Sequence, residues 1–165
     1  MISVVKALII VTMFLGGVGA WAQSYTPDLL RRAEQGDAKA QFDLGLAYAL
    51  GRGVARDYSL AAAWYRKAAE QGDARAQTNL GGMYGNGQGV ARDDAKAAAW
   101  YRKAAEQGDA IAQFNLGLAY ANGRGVIRDN AQAVSWYRKA SALGFAPAQT
   151  QLETMNASGK GLARE

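Results

Sequence analysis

Few residues of this chain have the types and spacings that could do chemistry. Ser3 and Lys6 stand in the Ser-x-x-Lys arrangement that sets a lysine beside a serine nucleophile, and they are the only such pair in the sequence. They lie in an apolar leader, so the pattern predicts no hydrolase site. His and Cys are both absent. That removes the commonest general base, imidazole and thiolate metal ligands, disulfides, iron–sulfur clusters and acylation on cysteine. Gly51-Arg52-Gly53 and Gly85-Asn86-Gly87-Gln88-Gly89 would suit a phosphate loop only after a strand. Both follow helical stretches, and neither gives the dinucleotide or P-loop pattern. Gly159-Lys160-Gly161 lacks the Ser or Thr that a P-loop needs. Asp93 and Asp94 are two adjacent carboxylates without further oxygen ligands, a poor calcium site. No nucleophile–base pair exists, so no catalytic residue, metal site or cofactor is expected.

What remains is architecture. The 165 residues are 50% hydrophobic and 20% charged, with a formal net charge of +5, a balance that suits a folded chain rather than a disordered tail or a polytopic membrane protein. Residues 1–22 read as a signal peptide. Lys6 precedes an apolar run from Ala7 to Leu15, three glycines follow, and Ala20-Trp21-Ala22 places small residues where a signal peptidase reads, so cleavage is expected after Ala22. The run is shorter than the roughly 20 apolar residues of a spanning helix, so no stable membrane insertion is expected after cleavage. Export without cysteine leaves stability to packing alone.

Internal repetition organises the rest. Ala63–Ala74 and Ala99–Ala110 carry the identical segment AWYRKAAEQGDA, 36 residues apart. The same shift relates Leu44, Leu80, Leu116 and Leu152; Tyr48, Tyr84 and Tyr120; Gly51, Gly87, Gly123 and Gly159; and Trp64, Trp100 and Trp136. Each period predicts two helices. Asp37 caps a first helix over about Ala38–Leu50, Gly51 ends it, Asp57 caps a second over about Tyr58–Gln71, and Gly72 terminates that one. Short links make the two antiparallel neighbours. The apolar residues of a hairpin are mostly Ala, so each leaves a face that only the next hairpin covers, while Gly45, Gly81 and Gly117 allow close approach of the helices. The expected units are an N-terminal capping helix in 23–36, repeats at 37–72, 73–108 and 109–144, and a partial repeat at 145–165. Thr26-Pro27 starts the first cap and Pro147 the last helix.

Ala-x-Ala-Gln-x-x-Leu-Gly-x-x-Tyr, then Gly-x-Gly-Val-x-x-Asp, then Ala-x-x-Trp-Tyr-x-Lys-Ala-Ala-x-x-Gly resembles the Sel1-like repeat, a relative of the tetratricopeptide repeat, over about residues 26–161. The resemblance implies an all-α, right-handed α-solenoid whose concave surface, lined by the first helices, holds proteins or peptides. It also implies an exported bacterial adaptor, periplasmic or secreted in a Gram-negative cell. A monomer is expected. Some relatives are described as β-lactamases, but those are cysteine-rich and this chain is not.

Residues that vary between copies on the first helices are the candidates for contact with a protein or peptide partner. They fall in four series at the 36-residue shift: Lys39, Arg75 and Ile111; Phe42, Thr78 and Phe114; Asp43, Asn79 and Asn115; and Leu46, Gly82 and Leu118. The amides of Asn79 and Asn115 could hold the backbone of an extended peptide, with Phe42 and Phe114 as apolar anchors. The alternative is that both rings pack against the neighbouring hairpin and the amides are merely solvated. Arg52, Arg56, Arg92, Arg124 and Arg128 all fall in the links and would form one basic edge for an anionic polymer, although Asp57, Asp93, Asp94 and Asp129 temper it. Nucleic acid is not expected as a partner.

Overall fold

A computed structural model describes residues 25–159. These form eight helices and, among the described residues, no strand: α1 (Pro27–Glu34), α2 (Ala38–Leu50), α3 (Tyr58–Glu70), α4 (Ala74–Asn86), α5 (Asp94–Glu106), α6 (Ala110–Asn122), α7 (Asn130–Ala142) and α8 (Ala146–Ala157). The leader and Gly161 lie outside the described residues.

The caps explain the boundaries. Asp37, Asp73 and Asp109 each accept a hydrogen bond from the backbone N–H three residues on, at 2.7–3.0 Å. Asp57, Asp93 and Asp129 do the same for α3, α5 and α7. Each first helix ends on a left-handed glycine, Gly51, Gly87 or Gly123 (φ near +68°). Thr26 replaces the Asp at the start of α1, accepting from Leu29 N–H at 3.0 Å, and α8 departs further. Its cap position is Phe145, which makes no side-chain capping bond.

Each first helix packs most closely on the second helix that follows it, and then on the second helix before it, so the hairpins stack in a single file. Leu44, Leu80 and Leu116 are completely buried in that stack. Close approach within a hairpin depends on the absence of one methyl group. A Cβ on Gly45, Gly81 or Gly117 would stand 2.6–2.8 Å from the ring of Tyr65, Tyr101 or Tyr137. The links stack as well. A Cβ on Gly89 would overlap the Tyr58 carbonyl, and one on Gly125 the Asp94 carbonyl, so each link lies directly on the start of the second helix one repeat earlier.

Polar bonds repeat with the same period. The buried amides of Gln41, Gln77 and Gln113 donate to the carbonyls of Ala33, Ala69 and Ala105, tying each first helix to the second helix before it. Their carbonyl ends form another series. Gln71 donates to Gln41 at 2.7 Å and Gln107 donates to Gln77 at 2.8 Å. The third step fails because Leu143 stands where a glutamine would, and Gln113 Oε1 is buried without a partner. Arg66 and Arg102 reach forward to the hydroxyls of Tyr84 and Tyr120 at 2.8 and 2.7 Å. The tryptophans are half-buried, each packed against the core of the preceding hairpin, with Lys67, Lys103 and Lys139 placed 3.9–4.3 Å over their rings.

Candidate functional site

Because all first helices lie on one side of the stack, positions one period apart come together there. Between α2, α4 and α6 they enclose a cleft of about 610 Å³. Its middle row is Leu46, Gly82 and Leu118; one flank carries Asn79 and Asn115, the other Leu50, Asn86 and Asn122. Leu50 and Ile111 stand half exposed on its walls. The tyrosines of the second helices, Tyr58, Tyr65 and Tyr101, supply the floor.

The expected contact residues divide between this cleft and the packing around it. Leu46, Thr78, Asn79, Ile111, Asn115 and Leu118 line the cleft, as does Gly82. Lys39 is exposed at the start of α2, 3.9 Å from Asp43. Arg75 pairs with Asp73 at 2.8 Å and lies 4.2 Å over the Phe42 ring. Phe42 itself is only 7% exposed and packs 5.7 Å from Tyr65. Phe114 is held between Tyr137 at 5.7 Å and Phe145 at 5.3 Å. Neither ring lines the cleft. Both are engaged in packing, because their position turns toward the following second helix, where the glycine-accommodated tyrosine lies. The Thr78 hydroxyl, in the same series, donates back to the Ala74 carbonyl at 2.9 Å.

Electrostatically the cleft is close to neutral. The charged residues on its lining are Asp94 and Arg124, and they pair with each other at 3.3 Å. Arg92 also pairs with Asp94 at 2.9 Å, and that bond, followed by Arg124, holds its carboxyl below the usual range. Two of the link arginines therefore share one carboxylate, which offsets part of their charge. Asp93 is taken up in capping α5. Asp43, beside the cleft, is pushed above the ordinary carboxylate range by burial, against the opposing pull of Lys39 and Arg75. Burial raises the Tyr65 hydroxyl to about 12, opposed by a hydrogen bond from Asn79, and raises Tyr101 as well. Among the described residues no group of three acidic side chains could hold a metal ion, and no helix is long and apolar enough to cross a membrane.

The floor tyrosines and the outer amides Asn86 and Asn122 were not singled out by the comparison of repeats. Asn86 and Asn122 share their register with Leu50, so the same test of variation, extended one turn further, would have reached them.

The sequence model of the Sel1 repeat matches residues 38–73, 74–109 and 110–145. Among solved structures, a protective antigen present in uropathogenic Escherichia coli strains, displaying an SLR fold, superposes with a TM-score of 0.80 at 46% identity. That match covers 82% of this chain but 29% of the antigen, so the chain spans less than a third of that protein. A Sel1 repeat protein from Oxalobacter formigenes gives a TM-score of 0.71 at 42% identity, covering 77% of this chain and 96% of its own. Helicobacter pylori cysteine rich protein B gives 0.62 at 27% identity, over 81% and 99%. No curated protein matches the sequence. Sel1-repeat proteins in general bind other proteins. With three consecutive matches over most of its length and the helical stacking that the repeat requires, the chain belongs to the Sel1-repeat family.

Proposed function

We propose that this protein is an exported binding scaffold that holds a segment of a protein partner in the cleft between α2, α4 and α6. The observation that carries the reading is the placement of non-repeating residues. Residues common to every copy are used in stacking, whereas Leu46, Asn79, Asn115 and Leu118 vary and meet on one open face. Half-exposed Leu50 and Ile111 add apolar surface whose removal from water would favour association. The amides supply paired donors and acceptors for a peptide backbone. Its mode of action is binding without chemistry, in a periplasmic or secreted location and as a monomer.

The test compares the wild-type chain with a Leu46→Asp/Leu118→Asp variant, each immobilised and exposed to an envelope extract. Proteins retained by the first and lost by the second, at unchanged helical content, support the cleft as the binding face. Equal recovery by both would overturn it. Sequencing the N-terminus of protein isolated from the envelope tests the export step, with Gln23 as the expected first residue.

A further inference from the structure

Helix α4 carries two glycines that packing does not require. Gly81 is demanded by the Tyr101 ring, but a Cβ on Gly82 would meet only the Tyr101 hydroxyl at 3.6 Å, and one on Gly85 only the Ala97 methyl at 3.7 Å. Both contacts are ordinary van der Waals distances. Glycine inside a helix weakens it, so its presence here calls for another reason. In the neighbouring copies the counterparts of Gly82 are Leu46 and Leu118, whose side chains rise on either side of it. The cleft thus has a hole at its centre, walled by two leucines and floored by the α4 backbone and the Tyr101 hydroxyl. Among the described residues that hydroxyl has no hydrogen-bond partner; burial raises its pKa, with the nearby Arg124 charge opposing.

The geometry points to Gly82, assisted by Gly85, as the specificity determinant of the cleft: it admits one large side chain, aromatic or long aliphatic, from an extended peptide segment that is otherwise uncharged. This inference rests on the scaffold reading and names the ligand chemistry that the scaffold takes. The missing leucine leaves room for the large side chain. Neutrality of the segment follows from the lining, where Asp94 and Arg124 already satisfy each other, so a charged ligand group would lose water without gaining a free counter-charge. Tyrosine or tryptophan suits the hole best, because its polar tip can bond the free Tyr101 hydroxyl while its body lies between the leucines.

The experiment is selection from a random displayed peptide library against the full chain and against Gly82→Leu, with affinities then measured for the winning peptides. Gly82→Leu fills the hole with the residue of the flanking copies and, at a helical φ with open space around it, leaves the fold in place. A melting temperature at or above that of wild type verifies this. Wild-type winners should share one large apolar or aromatic residue in an uncharged context, and Gly82→Leu should weaken them by about tenfold or more, with Gly85→Ala intermediate. Retention of affinity within about twofold in Gly82→Leu would overturn the pocket, as would winners that are acidic or basic throughout. If those same peptides were still lost in Leu46→Asp/Leu118→Asp, the scaffold reading would stand and the pocket alone would fall. A library that yields no binder counts against both.

Discussion

Replacing Leu143 by Gln should stabilise this protein, and the repeat itself supplies the reason. The backbone at Leu143 (φ −87°, ψ 7°) nearly matches that of Gln71 (−83°, −1°) and Gln107 (−84°, −1°), so a glutamine there starts in the direction its counterparts take. Its amide would reach Gln113 Oε1, the buried acceptor left without a partner. That acceptor is already desolvated, which puts the new bond toward the upper part of the roughly 0.5–1.5 kcal/mol that a neutral hydrogen bond contributes. Against it stands the covered part of Leu143. The leucine is 57% exposed and two methylenes of Gln take its place, so the loss is about 0.5 kcal/mol. The net gain is about 0.5–1 kcal/mol, or roughly 1–4 °C in Tm for a chain of this size. Thermal unfolding followed by circular dichroism reads it directly, and repeating the substitution in a Gln113→Met background isolates the bond. A Tm that fails to rise, or that rises equally when Gln113 is gone, would refute the reasoning.

Adjacent glycines on α4 should respond in opposite directions. Gly81→Ala drives a methyl into the Tyr101 ring and should cost about 1–3 kcal/mol, whereas Gly82→Ala should gain about 0.5–1 kcal/mol from helix propensity, both read from urea unfolding. Leu80→Ala should lose about 2–5 kcal/mol and lower the protection of α3, α4 and α5 together in hydrogen exchange, since the leucine is fully buried in the middle of the stack. Asp43→Asn should raise Tm at pH 7. Burial raises the folded pKa of Asp43, so its protonated form is favoured by folding; that contribution is present below the unfolded pKa and is lost as pH rises through the folded one. The difference between Asp43→Asn and wild type should therefore shrink in acid, and a difference independent of pH would contradict the assignment.

Much of the fold was legible because its determinants are local and recur in register. An Asp before each of α2–α7 and a glycine after α2, α4 and α6 specify the boundaries whatever the tertiary context, and the observed ends of those helices follow them. The direction of individual side chains was less accessible. Phe42 and Phe114 vary between copies and so resemble recognition residues, yet a large ring beside a glycine-seated tyrosine finds its lowest energy against that tyrosine. The tryptophans pack half-buried against the core of the preceding hairpin, as their place among the alanines of the second helices implies, while the lysine ammonium over each ring was not legible from the spacing. The glutamine series depends on side chains reaching 30 residues along the chain, and hydropathy patterning carries no signal for it. Its signature was nonetheless present in the letters, as Gln71 and Gln107 followed at the same shift by Leu143. The cleft was anticipated as a face, while its floor of tyrosines came only from seeing how closely the paired helices approach.

Hydrogen exchange of the full chain with and without its tightest selected peptide tests the central claim most directly. Binding in the cleft predicts added protection concentrated in α4 and α6 and in the last turns of α2, with the outer faces of α3, α5 and α7 unchanged. Protection that instead followed the tryptophan-bearing side or the arginine-rich links would place the partner elsewhere and contradict the account.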